Sequence, residues 1–262
     1  MRLPDPRLPT PDPLPRALNL ALAASLVLAP SVNAQARRPA RTAAPPARAW
    51  SAVSAGSTHT CALDNAGQAY CWGDNGWKRL GITDSVNQRR PVAVETPQRF
   101  LSLASGAAET CALTNDGSAV CWGGGQPGTP PHSAFGVLHL RALDLNVNGC
   151  GVAADSAAWC WGSNATGQLG SGRATPTRST GAERVQGARK WRMVTVGSTF
   201  ACGVAGDGRG WCWGAGNELG SSAIHDVSPA PVPVAGDRTW QFIIAGANHA
   251  CGIATGGGAW CW

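Results

Sequence analysis

All ten cysteines of the chain fall in five copies of one phrase. The copies are CALDNAGQAYCWG (61–73), CALTNDGSAVCWG (111–123), CGVAADSAAWCWG (150–162), CGVAGDGRGWCWG (202–214) and CGIATGGGAWCW (251–262). The spacing within each pair never varies, and a tryptophan follows every second cysteine: Trp72, Trp122, Trp161, Trp213 and Trp262. Successive first cysteines lie 50, 39, 52 and 49 residues apart. Gly- and Trp-rich repeats of this length point to propeller blades or a solenoid.

The phrase reads as a hairpin. In Asp64-Asn65-Ala66-Gly67-Gln68 the glycine sits where a type I turn with a G1 bulge needs a left-handed residue. Gly117, Gly208 and Gly257 take the same place, and Ser156 is the exception. If residue 64 faces 68, then Cys61 faces Cys71 at a non-hydrogen-bonded rung, where Cα atoms come to about 4.5 Å. The same count pairs Cys111 with Cys121, Cys150 with Cys160, Cys202 with Cys212 and Cys251 with Cys261. Zinc sites call for close CxxC or CxxH pairs and redox dithiols for C-x-x-C, and neither pattern occurs. The pairs are therefore expected to be structural disulfides, each contributing about 2–3 kcal/mol by loop closure.

Upstream of each first cysteine a short apolar stretch opens on a bulky residue eleven positions before it: Trp50, Phe100, His139, Trp191 and Trp240. These stretches read as strands. With the hairpin and a Pro-led strand such as PVAVE (91–95) or PVPV (231–234), each repeat holds four strands, the content of one blade. The recurring Trp is expected to pack between blades.

The first 49 residues differ in character. Three arginines precede the apolar run 17–29, and small residues follow at Val32 and Ala34. This is the layout of a secretory signal peptide over 1–34, cleaved after Ala34 or Ala36. Residues 35–49 read as an Ala/Arg/Pro linker without fixed structure, and 50–262 as the repeat region. The formal charge is +6. Seven Arg and two Asp fall in 1–49, leaving 14 basic against 13 acidic residues in the repeats. The repeats therefore lack a nucleic-acid binder's footprint. Once the leader is removed no stable membrane insertion is expected, and the localisation implied is secreted or periplasmic.

With its turns and tryptophans aligned, the chain resembles the regulator of chromosome condensation repeat family. GSTHTCALDNAGQAYCWGDNGWKRLG (56–81), TNDGSAVCWG (114–123) and WGSNATGQLG (161–170) carry the likeness, which spans about 50–262. The cysteine pairs depart from the eukaryotic type and suit a bacterial, exported one. The resemblance implies an all-β propeller, typically seven-bladed, that serves as a protein-interaction platform. One eukaryotic branch exchanges nucleotide on a small GTPase, and a secreted bacterial branch includes a β-lactamase inhibitory protein. Only five repeats are visible, at about 50–99, 100–138, 139–190, 191–239 and 240–262, and the last stops before its fourth strand. An incomplete ring, cut from a longer protein, is expected.

No P-loop, nucleophile elbow or HExxH occurs. His59 and His249 share a repeat position that Glu109, Asn148 and Phe200 fill elsewhere, which argues against a metal ring; in the family this His stabilises a turn. The turns at Asp64/Gly67 and Asp116/Gly117 loosely match the Asp-box of sialidase propellers, so a propeller glycosidase or lyase is the enzyme alternative. The reading preferred is a non-enzymatic scaffold with no cofactor and no metal, binding a protein or cell-surface ligand, with inhibition of a secreted or periplasmic enzyme as a special case. Trp77, Lys78 and Arg79, which break the repeat register, are the candidate partner-binding residues.

Overall fold

The computed structural model describes residues 48–124, 131–133, 138–179, 181–223 and 226–262. The expected signal peptide and all but the last two residues of the linker lie outside them. Residues from Ala47 onward form one compact unit, an all-β propeller of five antiparallel blades. Blade 1 is β1 (Trp50–Ala55), β2 (His59–Asp64), β3 (Ala69–Gly73) and β4 (Gln88–Ala93). Blade 2 is β5 (Phe100–Ser105), β6 (Glu109–Thr114), β7 (Ala119–Gly123) and β8 (His132–Ser133). Blade 3 is β9 (Leu140–Leu145), β10 (Gly149–Ala153), β11 (Ala158–Trp161) and β12 (Glu183–Arg184). Blade 4 is β13 (Trp191–Val196), β14 (Phe200–Ala205), β15 (Gly210–Ala215) and β16 (Val227–Pro233). Blade 5 is β17 (Trp240–Ala245), β18 (Ala250–Ala254) and β19 (Ala259–Cys261), three-stranded among the described residues.

The hairpin register is the one read from the sequence. Asp64 N donates to Gln68 O (3.0 Å) and Gly67 N to Asp64 O (2.9 Å). Gly67, Gly117, Gly208 and Gly257 have φ between 75° and 86°, and Ser156 adopts the same left-handed conformation at 69°. Cys61 pairs with Cys71 across the ladder, and so do the other four couples. Their Cα atoms lie 4.0–4.1 Å apart with the sulfurs at bonding distance. One register correction is needed in blade 3. The bulky residue that opens its inner strand is Leu140, paired with Ala153, while His139 is exposed one position earlier. The turn from β9 to β10 is one residue shorter than its counterparts, so counting back from Cys150 overshoots by one.

Alternation along each strand puts the disulfide on one face of a blade and the tryptophan on the other. Each interface then closes the disulfide of one blade against the tryptophan of the next. Cys61 and Cys71 share a buried cluster with Trp122, Cys111 and Cys121 with Trp161, and Cys150 and Cys160 with Trp213. Cys202 and Cys212 pack with Trp240 and Ile243, with Trp262 alongside. A glycine lets three of these rings approach: an added Cβ at Gly81, Gly170 or Gly220 would stand 3.0, 2.7 or 2.6 Å from Cδ1 of Trp122, Trp213 or Trp262. Two of these indoles also donate to the loop they cover, Trp213 Nε1 to Gln168 O (3.0 Å) and Trp262 Nε1 to Glu218 O (2.9 Å). The expected inter-blade role of the tryptophans is thus what the structure has.

A second set of ties runs along the inner strands. Ser54 Oγ accepts Ser105 N–H (2.9 Å), Asp144 accepts Val196 N–H (3.0 Å), and Thr195 Oγ1 accepts Ala245 N–H (3.0 Å). These residues hold the same place in blades 1, 3 and 4, so one side-chain oxygen bridges to the backbone of the blade that follows. Extensive strand contacts join consecutive blades, and among the described residues none of comparable extent returns from blade 5 to blade 1. The two outer faces stay uncovered accordingly: Trp50 and Val53 are exposed on blade 1, Phe242 and Ile244 on blade 5.

Outer edges are protected in a different way. Val234 N–H points inward to Gly210 O (3.0 Å). Strand alternation then turns the ring nitrogens of Pro231 and Pro233 outward, where proline offers no donor for another strand.

Two measurements follow. Trp213→Ala is expected to cost about 3–5 kcal/mol in urea unfolding, and Trp72→Ala, whose ring packs on no other blade among the described residues, markedly less; equal losses would contradict the interlock. Non-reducing peptide mapping is expected to find all five pairs. Mild reductant should open Cys251–Cys261 first, because Cys261 is exposed while the cysteines of the other four bridges are fully buried.

Candidate functional site

The β1–β2 turn and its equivalents, together with the long loops after Trp-Gly, gather at one end of the blades. The first of these loops carries Trp77, Lys78 and Arg79, and the structure gives the three different work. Trp77 is 55% exposed. Lys78 takes a left-handed φ of 58°, where the equivalent position of blade 3 has Gly167, and its Nζ donates to Thr83 O. Arg79 is buried, paired with Asp74 (3.1 Å) and donating to Thr58 Oγ1. Asn75, fully buried, accepts Leu80 N–H (3.1 Å) and donates to Asp84 O (2.7 Å). The cations of this triplet therefore fasten the loop, and the indole is what it shows to solvent. The sequence pattern singled out all three residues but carries no sign of which would face inward.

His59 sits beside this loop, buried, with Nε2 2.7 Å from Thr110 Oγ1 of the next blade. Burial, aided by the nearby Arg79 guanidinium, lowers its pKa to about 4. It packs against Gly56, as Phe200 packs against Gly197 in blade 4. His249, its counterpart on blade 5, is exposed. The repeat position is thus a turn-and-interface position, in line with the sequence reading.

The turn ends of the five inner strands line one axial cleft of about 370 Å³, with Ser54, Ser105, Asp144, Val196 and Ala245 each supplied by a different blade. Asp144 is the one ionisable group in that lining. Burial pushes its carboxyl up, against three hydrogen bonds from Thr195 Oγ1, Val196 N and Leu145 N that pull it down. All of these partners are structural, so the cleft presents uncharged side chains and one engaged carboxylate rather than a reactive pair.

The aspartate-bearing hairpin turns lie at the opposite end of the blades. Asp64, Asp116, Asp155 and Asp207 each accept a backbone N–H from their own turn at 2.9–3.1 Å. Hydrogen bonds from Thr114 and Ser118 hold the Asp116 carboxyl at about 2. These aspartates shape turns. Glu109 with Cys111 and Cys121 has metal-like spacing, but the two sulfurs are bonded to each other and offer no thiolate.

Sequence reasoning missed a recurring arrangement on this end. Arg48 lies over Tyr70 at 3.7 Å, Arg189 over Trp211 at 3.6 Å and Arg238 over Trp260 at 3.7 Å. Each Arg stands two residues before its blade's first aromatic, a spacing visible once the blades are aligned. The basic run around Arg184, Arg189, Lys190 and Arg192 disperses for related reasons. Lys190 Nζ donates to Asp155 O (2.8 Å), and Arg192 reaches the carbonyls of Trp240 (3.5 Å) and Gln241 (3.4 Å) in blade 5.

Models of the regulator of chromosome condensation (RCC1) repeat match residues 50–76 and 66–113. These matches support the RCC1-repeat family. Among solved structures, Prp20p from Saccharomyces cerevisiae aligns with a TM-score of 0.73 at 21% identity, over 81% of this chain and 57% of its own. Human WBSCR16 aligns with a TM-score of 0.71 at 18% identity, over 80% and 60%. The CRINKLY WD40 ectodomain of the Arabidopsis thaliana receptor kinase ACR4 aligns at 0.54 and 21% identity, over 84% and 66%. The likeness establishes the RCC1-type propeller fold, and the chain spans less than two thirds of the length of each of these structures. No curated protein matches the sequence significantly.

His59 gives a test of the site's internal chemistry. Its folded pKa lies below the unfolded value of about 6.5, so the stability it allows is complete above that value and falls as pH drops towards 4. Resistance to urea is expected to fall as pH drops from 7 to 5, and His59→Phe, the residue type of blade 4, to flatten that slope. Burial raises the Asp144 and Glu109 carboxyls, which act in the opposite sense, so the comparison of variant with parent isolates the imidazole. An unchanged slope would show that the imidazole is not the titrating group.

Proposed function

We propose that the chain is an exported, disulfide-stapled propeller that binds a protein or a cell-surface ligand through its loop end, with Trp77 as the anchor. One observation carries this reading: an indole stands 55% exposed on a loop whose neighbours Asp74, Asn75, Lys78 and Arg79 are each held by hydrogen bonds or an ion pair. A large aromatic presented on a fixed support loses little entropy on binding, which is what an interface hot spot requires. Prp20p, one of the similar structures, is described with its binding to Gsp1p and histones. The near-neutral repeats of this chain fit a different partner class from nucleic acid.

Export is supported by five cysteine pairs at disulfide distance, which suit an oxidising compartment. Among the described residues no helix is long and apolar enough to cross a membrane. Under this proposal residues 1–34 are removed, and the mature protein is secreted or periplasmic. The glycosidase alternative is disfavoured by the axial cleft, whose lining among the described residues includes Asp144 but no arginine cluster or second carboxylate.

The test is capture of a partner from the native envelope fraction by the mature protein. Trp77→Ala is expected to abolish capture by about tenfold or more, equivalent to at least 1.4 kcal/mol, while the melting temperature stays unchanged. Equal capture by variant and parent would remove Trp77 from the interface, and recovery of the protein from the cytosol with free thiols would overturn export.

A further inference from the structure

We propose that the groove along the outer edge of blade 4, where the chain passes into blade 5, is a binding site for a small acidic saccharide, with Arg209 and Arg238 as the carboxylate-recognising pair. The groove has a volume of about 460 Å³, in the range of small-ligand sites. An isolated β-bridge between Arg209 and Thr239 sets the two arginine-bearing segments side by side, and Trp240 N donates to Gly208 O (2.8 Å) to lock them. Both arginines line the groove.

Their surroundings leave them available. Arg238 lies over Trp260, its Cζ 3.7 Å from the ring centroid, and makes one long hydrogen bond, from Nη1 to Ala235 O (3.4 Å). A guanidinium held over a ring keeps in-plane N–H groups for other partners, the groups that carboxylates engage in pairs. The Arg209 side chain has no hydrogen bond or ion pair among the described residues, and the nearby Asp207 carboxylate is engaged by the Arg209 backbone N–H (3.0 Å).

The rest of the lining argues for a sugar. Ser221, Ser222 and Thr239 place hydroxyls on the groove, and a hydroxyl both donates and accepts, as sugar hydroxyls demand. Val232 and Val234 supply an apolar wall. A peptide adding to the sheet is disfavoured, because Pro231 and Pro233 remove the outward donors of β16 that β-augmentation would use. Asp237 also lines the groove and partly offsets the two positive charges. This site stands apart from the loop-end reading above, and neither depends on the other.

The test is titration of the isotope-labelled protein with D-glucuronate, D-glucose and inorganic sulfate, followed by amide chemical shifts. Saturable shifts around Arg209, Gly236 and Thr239 are expected with glucuronate and not with glucose. Arg209→Gln should weaken glucuronate about tenfold, Arg209→Lys less, and Asp237→Asn should tighten it. Arg209 is exposed, so its variants should keep the parent melting temperature. Glucose binding as well as glucuronate, sulfate matching glucuronate at equal concentration, or full affinity in Arg209→Gln would each overturn the proposal.

Discussion

The contact between a disulfide on one blade and a tryptophan on the next carries this fold. A blade of short strands has too little interior of its own, so its apolar surface must be covered by neighbours. The chain meets this need by giving each blade two chemically different faces. One carries two bridged sulfurs that present a small apolar knob, fully buried in blades 1 to 4. The other carries the indole, and in blades 1, 3 and 4 a glycine closing the loop lets the next blade's ring lie directly on the chain. Hydrogen bonds from Trp213 and Trp262 to the covered loops add direction to what would otherwise be a greasy contact.

Around this interlock the remaining polar groups fall into place. Ser54, Asp144 and Thr195 bridge to the following inner strand, and Arg192 reaches the carbonyls of blade 5. His59 is neutral at ordinary pH because a charged imidazole could not share a buried interface with Thr110 and the Arg79 guanidinium. Such groups look functional in isolation, yet their partners are within the scaffold. Among the described residues, groups with spare capacity include the Trp77 indole at one end and the Arg209 guanidinium at the other.

The architecture was legible in the sequence because it is periodic. The cysteine pairing followed from a turn glycine and a parity count, and the inter-blade role of the tryptophans from their fivefold recurrence. Blade 3 shows where counting fails: a turn shortened by one residue moves the strand start from His139 to Leu140, and only pairing reveals it. The candidate site was less legible. Trp77, Lys78 and Arg79 are adjacent in sequence, but burial separates them, and burial of Arg79 depends on Asp74 and Thr58 folding over it. The Arg238–Trp260 stack joins residues far apart along the chain; the Arg-x-Trp spacing that recurs at Arg48, Arg189 and Arg238 marks the arginine but not the ring it covers.

The interface between blades is heterologous: the surface a blade offers forward differs from the one it receives behind. A contact of this kind fixes the sense in which units follow one another but contains no count of them. The number of blades in a closed ring is then set by the angle each interface imposes rather than by any residue at a join. Gain or loss of a whole repeat leaves every surviving contact chemically intact, so such a chain can change length by entire modules far more readily than by single residues within one.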